Sequence, residues 1–212
     1  MAKESEGPLL PMISTGLSCL IRVGLKEMVT VGTIAVHEFI TLDGVIEAPS
    51  WSFDYPYDPA MGEAIGRIMG SCTAILLGRR TYQEFAPAWS GRTAAEDPGA
   101  PFMNESPKYV VSATLRAVGW QNSTILGPYR AEAIRGLKDR VDGGLYVSGS
   151  GTLVRALLAD DLVDELHLFV FPLAQGTGQR LFADSGPAIK LALAGSEAYS
   201  NGALHLTYRP AA

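Results

Sequence analysis

Cysteine and histidine are scarce in this chain. Only Cys19 and Cys72, with His37, His167 and His205, occur in 212 residues. Two cysteines build no disulfide framework, and none of the five residues has the spacing of a zinc site. No metal is therefore expected, and a reducing cytoplasm is the expected location. Charge is thin too, at 18% of residues with a net of −5, which argues against nucleic acid or an anionic membrane as partner. Long apolar runs are missing. The nearest, Leu9 to Ile21, is broken by Pro11, Ser14, Thr15, Gly16 and Ser18 and falls short of the about 20 apolar residues that span a bilayer. Lys3 is offset by Glu4 and Glu6, and no small-residue cleavage site follows, so the start does not read as a secretion signal. The sequence predicts a poorly ordered extension over residues 1–27 and a single domain over 28–212.

Several nucleotide and hydrolase signatures fail as well. No Gly-Lys-Ser/Thr occurs, so there is no P-loop. Gly149-Ser150-Gly151-Thr152-Leu153-Val154 lacks the last glycine of the dinucleotide fingerprint, and no acidic residue ends a second strand at the expected distance. Ser150 is not framed as the nucleophile of a hydrolase elbow.

What is present is an alternation of strands and helices, in 47% hydrophobic sequence. Val29–Ile40 reads as a buried strand leading into the turn signal Thr41-Leu42-Asp43-Gly44. An aromatic loop follows, with Trp51, Phe53, Tyr55 and Tyr57. Asp58 then caps a helix from Pro59 to Gly70, proline in its first turn. Thr73–Leu77 is a strand that bends through Gly78-Arg79-Arg80-Thr81 into a short helix ending near Phe85. The stretch from Ala86 to Pro107 reads as one long connection. Lys108–Ser112 and Ser123–Leu126 are strands, and Ala131–Val141 is a helix. Leu145–Leu158 gives strand, glycine turn and helix in succession, and Val163–Phe171 is a further strand. Two alternating stretches, 190–199 and 203–209, flank Asn201-Gly202, a strong hairpin signal. Strands alternating with helices and closed by a hairpin predict a three-layer α/β/α sandwich around a mixed, mostly parallel sheet.

Two strand-to-helix turns, at Gly78 and at Gly149, carry the chemistry. A helix N-terminus presents bare N–H groups and positive potential to an anion. At the first, Arg79 and Arg80 add guanidinium groups that hold phosphate in bidentate fashion. The bland alternative is a tight turn at Gly149–Gly151 and solvated surface arginines. Asp43, at the end of the first strand, is the best candidate to protonate a substrate, against an equally weighted reading as a turn residue. Glu63 reads as an exposed helix residue. Trp51 to Tyr57 and Trp89 wall a flat ring or close a core edge. The three histidines, in strands, read as structural.

In order, Thr41–Gly44, Gly78-Arg79-Arg80-Thr81-Tyr82, Lys108–Ser112, Gly149–Leu153 and Gly176-Thr177-Gly178 with Leu181-Phe182 resemble the dihydrofolate-reductase-like superfamily. The resemblance is nearest to the C-terminal reductase domain of the riboflavin-biosynthesis deaminase/reductase. It implies an NADPH site. Gly149, Ser150, Gly151, Thr152 and Leu153 would face the pyrophosphate and nicotinamide side. Gly78, Arg79, Arg80 and Thr81 would hold the 2′-phosphate and pyrophosphate, with Ser112 by the adenosine and Thr41–Gly44 by the nicotinamide and substrate ring.

The chain departs from folate-reducing relatives, which place an acidic residue where this chain has Gly62. It also has Ala113 after the adenosine-side serine, with Arg116 as a substitute. The resulting expectation is a cytoplasmic NADPH-dependent reductase of a small flat heterocycle of pterin or pyrimidine type. A non-catalytic NADP(H)-binding or sensor protein is the alternative, and a version tethered to a membrane through residues 1–27 is a weaker third. A homodimer is implied, with Val163–Phe171 as a possible contributor to its interface.

Overall fold

A computed structural model describes residues 32–182 and 188–211; the expected extension over 1–27 lies outside the described residues. The strands are β1 (Thr33–Thr41), β2 (Cys72–Gly78), β3 (Lys108–Val111), β4 (Ser123–Gly127), β5 (Gly144–Ser148), β6 (Glu165–Phe171), β7 (Leu191–Ala198) and β8 (Leu204–Pro210). They form one sheet in the order β4-β3-β2-β5-β1-β6-β8-β7. From β4 to β6 all pairs are parallel; β6–β8 and β8–β7 are antiparallel. The helices are α1 (Pro59–Gly70), α2 (Arg79–Trp89), α3 (Ala100–Glu105), α4 (Ala131–Lys138) and α5 (Gly151–Ala159).

Strand periodicity builds two cores. Ile34, Val36 and Ile40 of β1 share a face with Leu76, Leu145 and Val147, and pack under α4 and α5 through Ile134, Leu137, Leu153, Val154 and Leu157. Ala35, Ile75, Leu77, Tyr146 and Phe169 point the other way, under Met61, Ala64 and Ile68 of α1, Tyr82 of α2 and Met103 of α3. These are the two helical layers of the expected sandwich.

Local signals set several boundaries. Asp58 caps α1, its Oδ1 accepting the N–H groups of Ala60 at 2.9 Å and Met61 at 3.4 Å. Its Oδ2 takes the amide and hydroxyl of Ser200, tying the helix start to the hairpin turn at Asn201-Gly202. Gly202 has φ of 87°, as that turn demands.

Some expectations need correction. The connection from Ala86 to Pro107 is not structureless: α2 continues to Trp89, and α3 occupies Ala100–Glu105. Asn104 stitches this region together, its amide donating to the carbonyls of Trp89 and Arg92 while its Oδ1 accepts the Trp120 indole N–H. Helix α4 ends at Lys138 rather than Val141, and β3 stops at Val111. The strand expected to contribute to a dimer interface, β6, lies between β1 and β8 and is largely buried, so it offers no free edge. The edge strands are β4 and β7, and β7 is mostly exposed.

Candidate functional site

The sheet order decides where a site can form. After β2 the chain leaves through α2 on the α1–α3 side toward β3; after β5 it leaves through α5 on the opposite side toward β6. Adjacent parallel strands whose connections diverge open a crevice at their C-terminal ends. Here the crevice lies between Gly78 and Ser148, where the two expected turns meet.

The turns are bonded to each other. The Gly78 amide donates to Ser150 Oγ at 2.9 Å, and the Ser150 amide donates to Thr81 Oγ1 at 2.8 Å. Gly149 and Ser150 are both left-handed, with φ of 61° and 59°. For a serine that conformation is strained, and such strain persists where surroundings enforce it. A Cβ on Gly149 would lie 3.1 Å from the Thr81 methyl, and one on Gly151 only 2.7 Å from Ile46 Cδ1. Glycine is needed at both for close packing. No side chain caps α2 or α5, so the amides opening both helices face the crevice mouth without a side-chain acceptor.

The remaining candidates take varied positions. Arg79 is exposed, with Nη1 donating to Gln83 one turn along α2 at 3.0 Å. Arg80, also exposed, approaches Glu47 at 3.6 Å across the crevice. Thr152 is exposed, and its hydroxyl accepts from Gln179 and Arg155 at 3.4 Å. The Leu153 side chain is core; only its amide belongs to the turn. Ser112 is buried, and its hydroxyl accepts the amides of Thr114 and Leu115 at 3.1 and 2.9 Å, closing the turn after β3. Arg116 is exposed.

Asp43 has the geometry of a turn residue. It ends β1 as expected, but Oδ1 accepts from the Thr41 hydroxyl at 2.5 Å and the Gln175 amide at 3.0 Å, and Oδ2 from the Gly176 amide at 2.7 Å. These donors, the Thr41 hydroxyl foremost, lower its pKa to about 2. A carboxylate so held is ionised at neutral pH and cannot deliver a proton. Asp43 is a turn anchor that ties β1 to the loop after β6.

Of two buried titratable groups on β1, the sequence read His37 only as structural and left Glu38 unread. His37 Nδ1 lies 2.6 Å from the Tyr146 hydroxyl, and burial keeps its ring neutral, with a pKa lowered to about 3. Glu38 is buried beneath the glycine turn, and its Oε2 accepts the Gly149 amide at 3.2 Å. Neither stands in a motif; only an acid and an imidazole interrupting a buried strand could have flagged them. All three histidines share a row: His37 pairs with His167 across β1–β6, and His167 Nδ1 lies 3.1 Å from His205 Nε2. They lie within the sheet, consistent with a structural role.

An open pocket of about 610 Å³ adjoins the crevice, lined by Ala48, Ser50, Trp51, Asp54, Leu173 and Gln175. Trp51 and Tyr55 meet Phe171 edge to face and close the core edge, and Trp51 also walls the pocket. Trp89 is remote, at the far end of α2 under Arg92. A side chain at Gly62 would displace the hydroxyl end of the exposed Tyr57, and Glu63 is exposed. Among the described residues no cluster of three or more histidine, cysteine or acidic side chains could hold a metal, and no helix is long and apolar enough to cross a membrane.

A mixed eight-stranded sheet with diverging crossovers at its centre and an antiparallel hairpin at its edge defines the dihydrofolate-reductase-like fold. Within it, the chain belongs to the RibD C-terminal domain family, whose model matches residues 32–205. A Shewanella sp. PV-4 protein assigned to riboflavin biosynthesis is similar with a TM-score of 0.71 at 20% identity, over 85% of this chain and 99% of that one. The diaminohydroxyphosphoribosylaminopyrimidine deaminase/5-amino-6-(5-phosphoribosylamino)uracil reductase of Thermotoga maritima gives 0.59 at 16% identity, over 85% of this chain but 57% of its own. Enterococcus faecalis dihydrofolate reductase, complexed with NADP(H), gives 0.58 at 13%, over 86% and 98%. No curated protein sequence matches the chain.

Proposed function

We propose that this protein is an NADPH-dependent reductase of the riboflavin-pathway type, acting on a small flat heterocycle of pterin or pyrimidine class. The observation that carries the reading is the meeting of two uncapped helix starts, α2 and α5, at the sheet's switch point, with Arg79 and Arg80 beside them. Two helix N-termini offset the charge of one pyrophosphate, and an exposed arginine pair suits the 2′-phosphate that separates NADPH from NADH. NADPH, when bound, supplies hydride to the substrate.

This chain's own residues orient and enclose. The amides of Gly151, Thr152 and Leu153 would hold the pyrophosphate, and the Thr41–Gly44 turn, braced by Asp43, would border the nicotinamide. The Trp51 pocket would take the substrate ring. Trp51 would offer that ring an aromatic wall. With Asp43 committed to its turn, the proposed proton source is water.

Titration of intrinsic fluorescence with NADPH and with NADH tests the cofactor. NADPH binding well ahead of NADH supports the reading, and no binding or equal binding sinks it. Turnover with pterin and pyrimidine substrates then separates a reductase from a non-catalytic NADP(H) sensor. The sensor reading is favoured by one observation, glycine at position 62 where folate-reducing relatives place an acid. The proposed homodimer would use the free β7 edge, since an exposed edge strand is a pairing template.

A further inference from the structure

Strand β1 carries two consecutive buried titratable residues near its C-terminal end, and the pleat sends them to opposite faces. His37 goes to the α1–α3 side. Glu38 goes to the α4–α5 side, in line with Val36 and Ile40, and is 2% exposed. Its Oε2 accepts the Gly149 amide, and its Oε1 is buried with no hydrogen-bond partner among the described residues. A side chain this enclosed, with one oxygen unanswered, sits directly under the turn that opens α5.

Among the described residues no cation is paired with it. Arg80 on α2 faces Glu47 of the loop after β1. Arg155 on α5 donates to the Arg180 carbonyl, and Arg180 donates to the Asp43 carbonyl. On β5, Tyr146 is the buried titratable neighbour; burial, with Glu38 contributing, holds its hydroxyl protonated. His37 on β1 is neutral. Burial, opposed only by the Gly149 hydrogen bond, lifts the Glu38 carboxyl well above the usual range. With Oε2 accepting from Gly149, the proton resides on Oε1.

We propose that Glu38 is the positioning residue of the glycine turn: its carboxyl holds the Gly149 amide from beneath, and it must be the neutral acid for a pyrophosphate-bearing ligand to occupy the turn. The proposal deepens the NADPH reading and rests on it for the ligand's identity. An ionised Glu38 would place an unscreened negative charge one peptide away from the anion, where the low local dielectric amplifies repulsion. Ligand and proton therefore bind together. By linkage, each favours the other to the same degree.

The experiment measures affinity for NADPH and, separately, for inorganic pyrophosphate, across pH from mildly acidic to alkaline, in the wild type and in Glu38→Gln. Glutamine keeps an acceptor for Gly149 and nearly the same volume, so it preserves the turn without a titrating group. Wild-type affinity should fall with rising pH relative to the variant, approaching about tenfold per pH unit once free Glu38 ionises. Calorimetry of the wild type alone, in buffers of different ionisation enthalpy, should show proton uptake on binding at alkaline pH. Identical pH profiles for wild type and variant, with NADPH bound by both, overturn the proposal and leave the cofactor reading intact. Pyrophosphate binding with a Glu38-dependent profile, but no NADPH binding, upholds the proposal and overturns the cofactor reading. Failure of both probes to bind overturns both.

Discussion

The amide of Ser150 donates to the Thr81 hydroxyl at 2.8 Å, while the Ser150 hydroxyl accepts the Gly78 amide at 2.9 Å. Residues 69 and 72 positions apart thus form one reciprocal clasp across the crevice. It fixes the spacing of two helix starts that would otherwise vary independently. Thr81→Val keeps the shape but removes the acceptor, leaving the Ser150 amide without its partner. Stability should fall by about 1–3 kcal/mol in denaturant titration, and NADPH affinity should fall with it. Thr81→Ser, which keeps the oxygen, should recover most of both.

Arg79 and Arg80 are exposed and engaged by Gln83 and Glu47, so their removal should cost little stability. The combined Arg79→Ala and Arg80→Ala variant should weaken NADPH far more than NADH. Loss of one charge-assisted contact to the 2′-phosphate corresponds to roughly 1.5–3 kcal/mol. Equal loss for the two dinucleotides would place the 2′-phosphate elsewhere.

Asp43 anchors a turn, and its stability contribution has a defined pH signature. Its folded pKa of about 2 lies below the ordinary 3.8. The contribution is therefore present above pH 3.8 and lost as pH falls through about 2. Asp43→Asn should melt at lower temperature than wild type near neutrality, and the difference should shrink in acid. A difference that instead grew on acidification would contradict the hydrogen-bonded carboxylate.

The histidine row also loses stability in acid, but beginning at a higher pH. Burial lowers the pKa of His37 to about 3 and also lowers those of His167 and His205 from 6.5. Below pH 6.5 the unfolded chain binds protons that the folded protein refuses, so stability declines from there toward the folded values. His205 stacks on Phe169 at 4.3 Å, so His205→Phe replaces one of these rings with an aromatic that does not titrate. Melting curves against pH should show a shallower decline for that variant between pH 6.5 and its acid limit.

Where a signal was local, the sequence was a good guide. Asp58 followed by proline marked α1, and Asn201-Gly202 marked the hairpin, because capping and positive φ are satisfied by neighbouring residues. The glycine turn at Gly149 was legible for the same reason. Helix α3 was missed because Ala100–Glu105 is short, and Asn104 holds its surroundings through distant carbonyls and Trp120. The sequence left Asp43 open between proton donor and turn residue because its donors at Gln175 and Gly176 lie more than a hundred residues away. Glu38 was overlooked because a lone acid in an apolar strand carries no periodic signal.

By itself, the sequence determined the alternation of strands and helices, the closing hairpin, and two turns able to receive an anion, since all three follow from local backbone preference and hydrophobic period. Only the tertiary structure decided that β5 inserts between β2 and β1, which brings Gly78 against Ser150. It also decided which buried acid lies beneath them. Period-2 patterning tells a residue which face of a sheet it takes but not which strand will lie beside it. The neighbours of Glu38 and Ser150 come from chain crossings, and those are fixed by the packing of the whole domain.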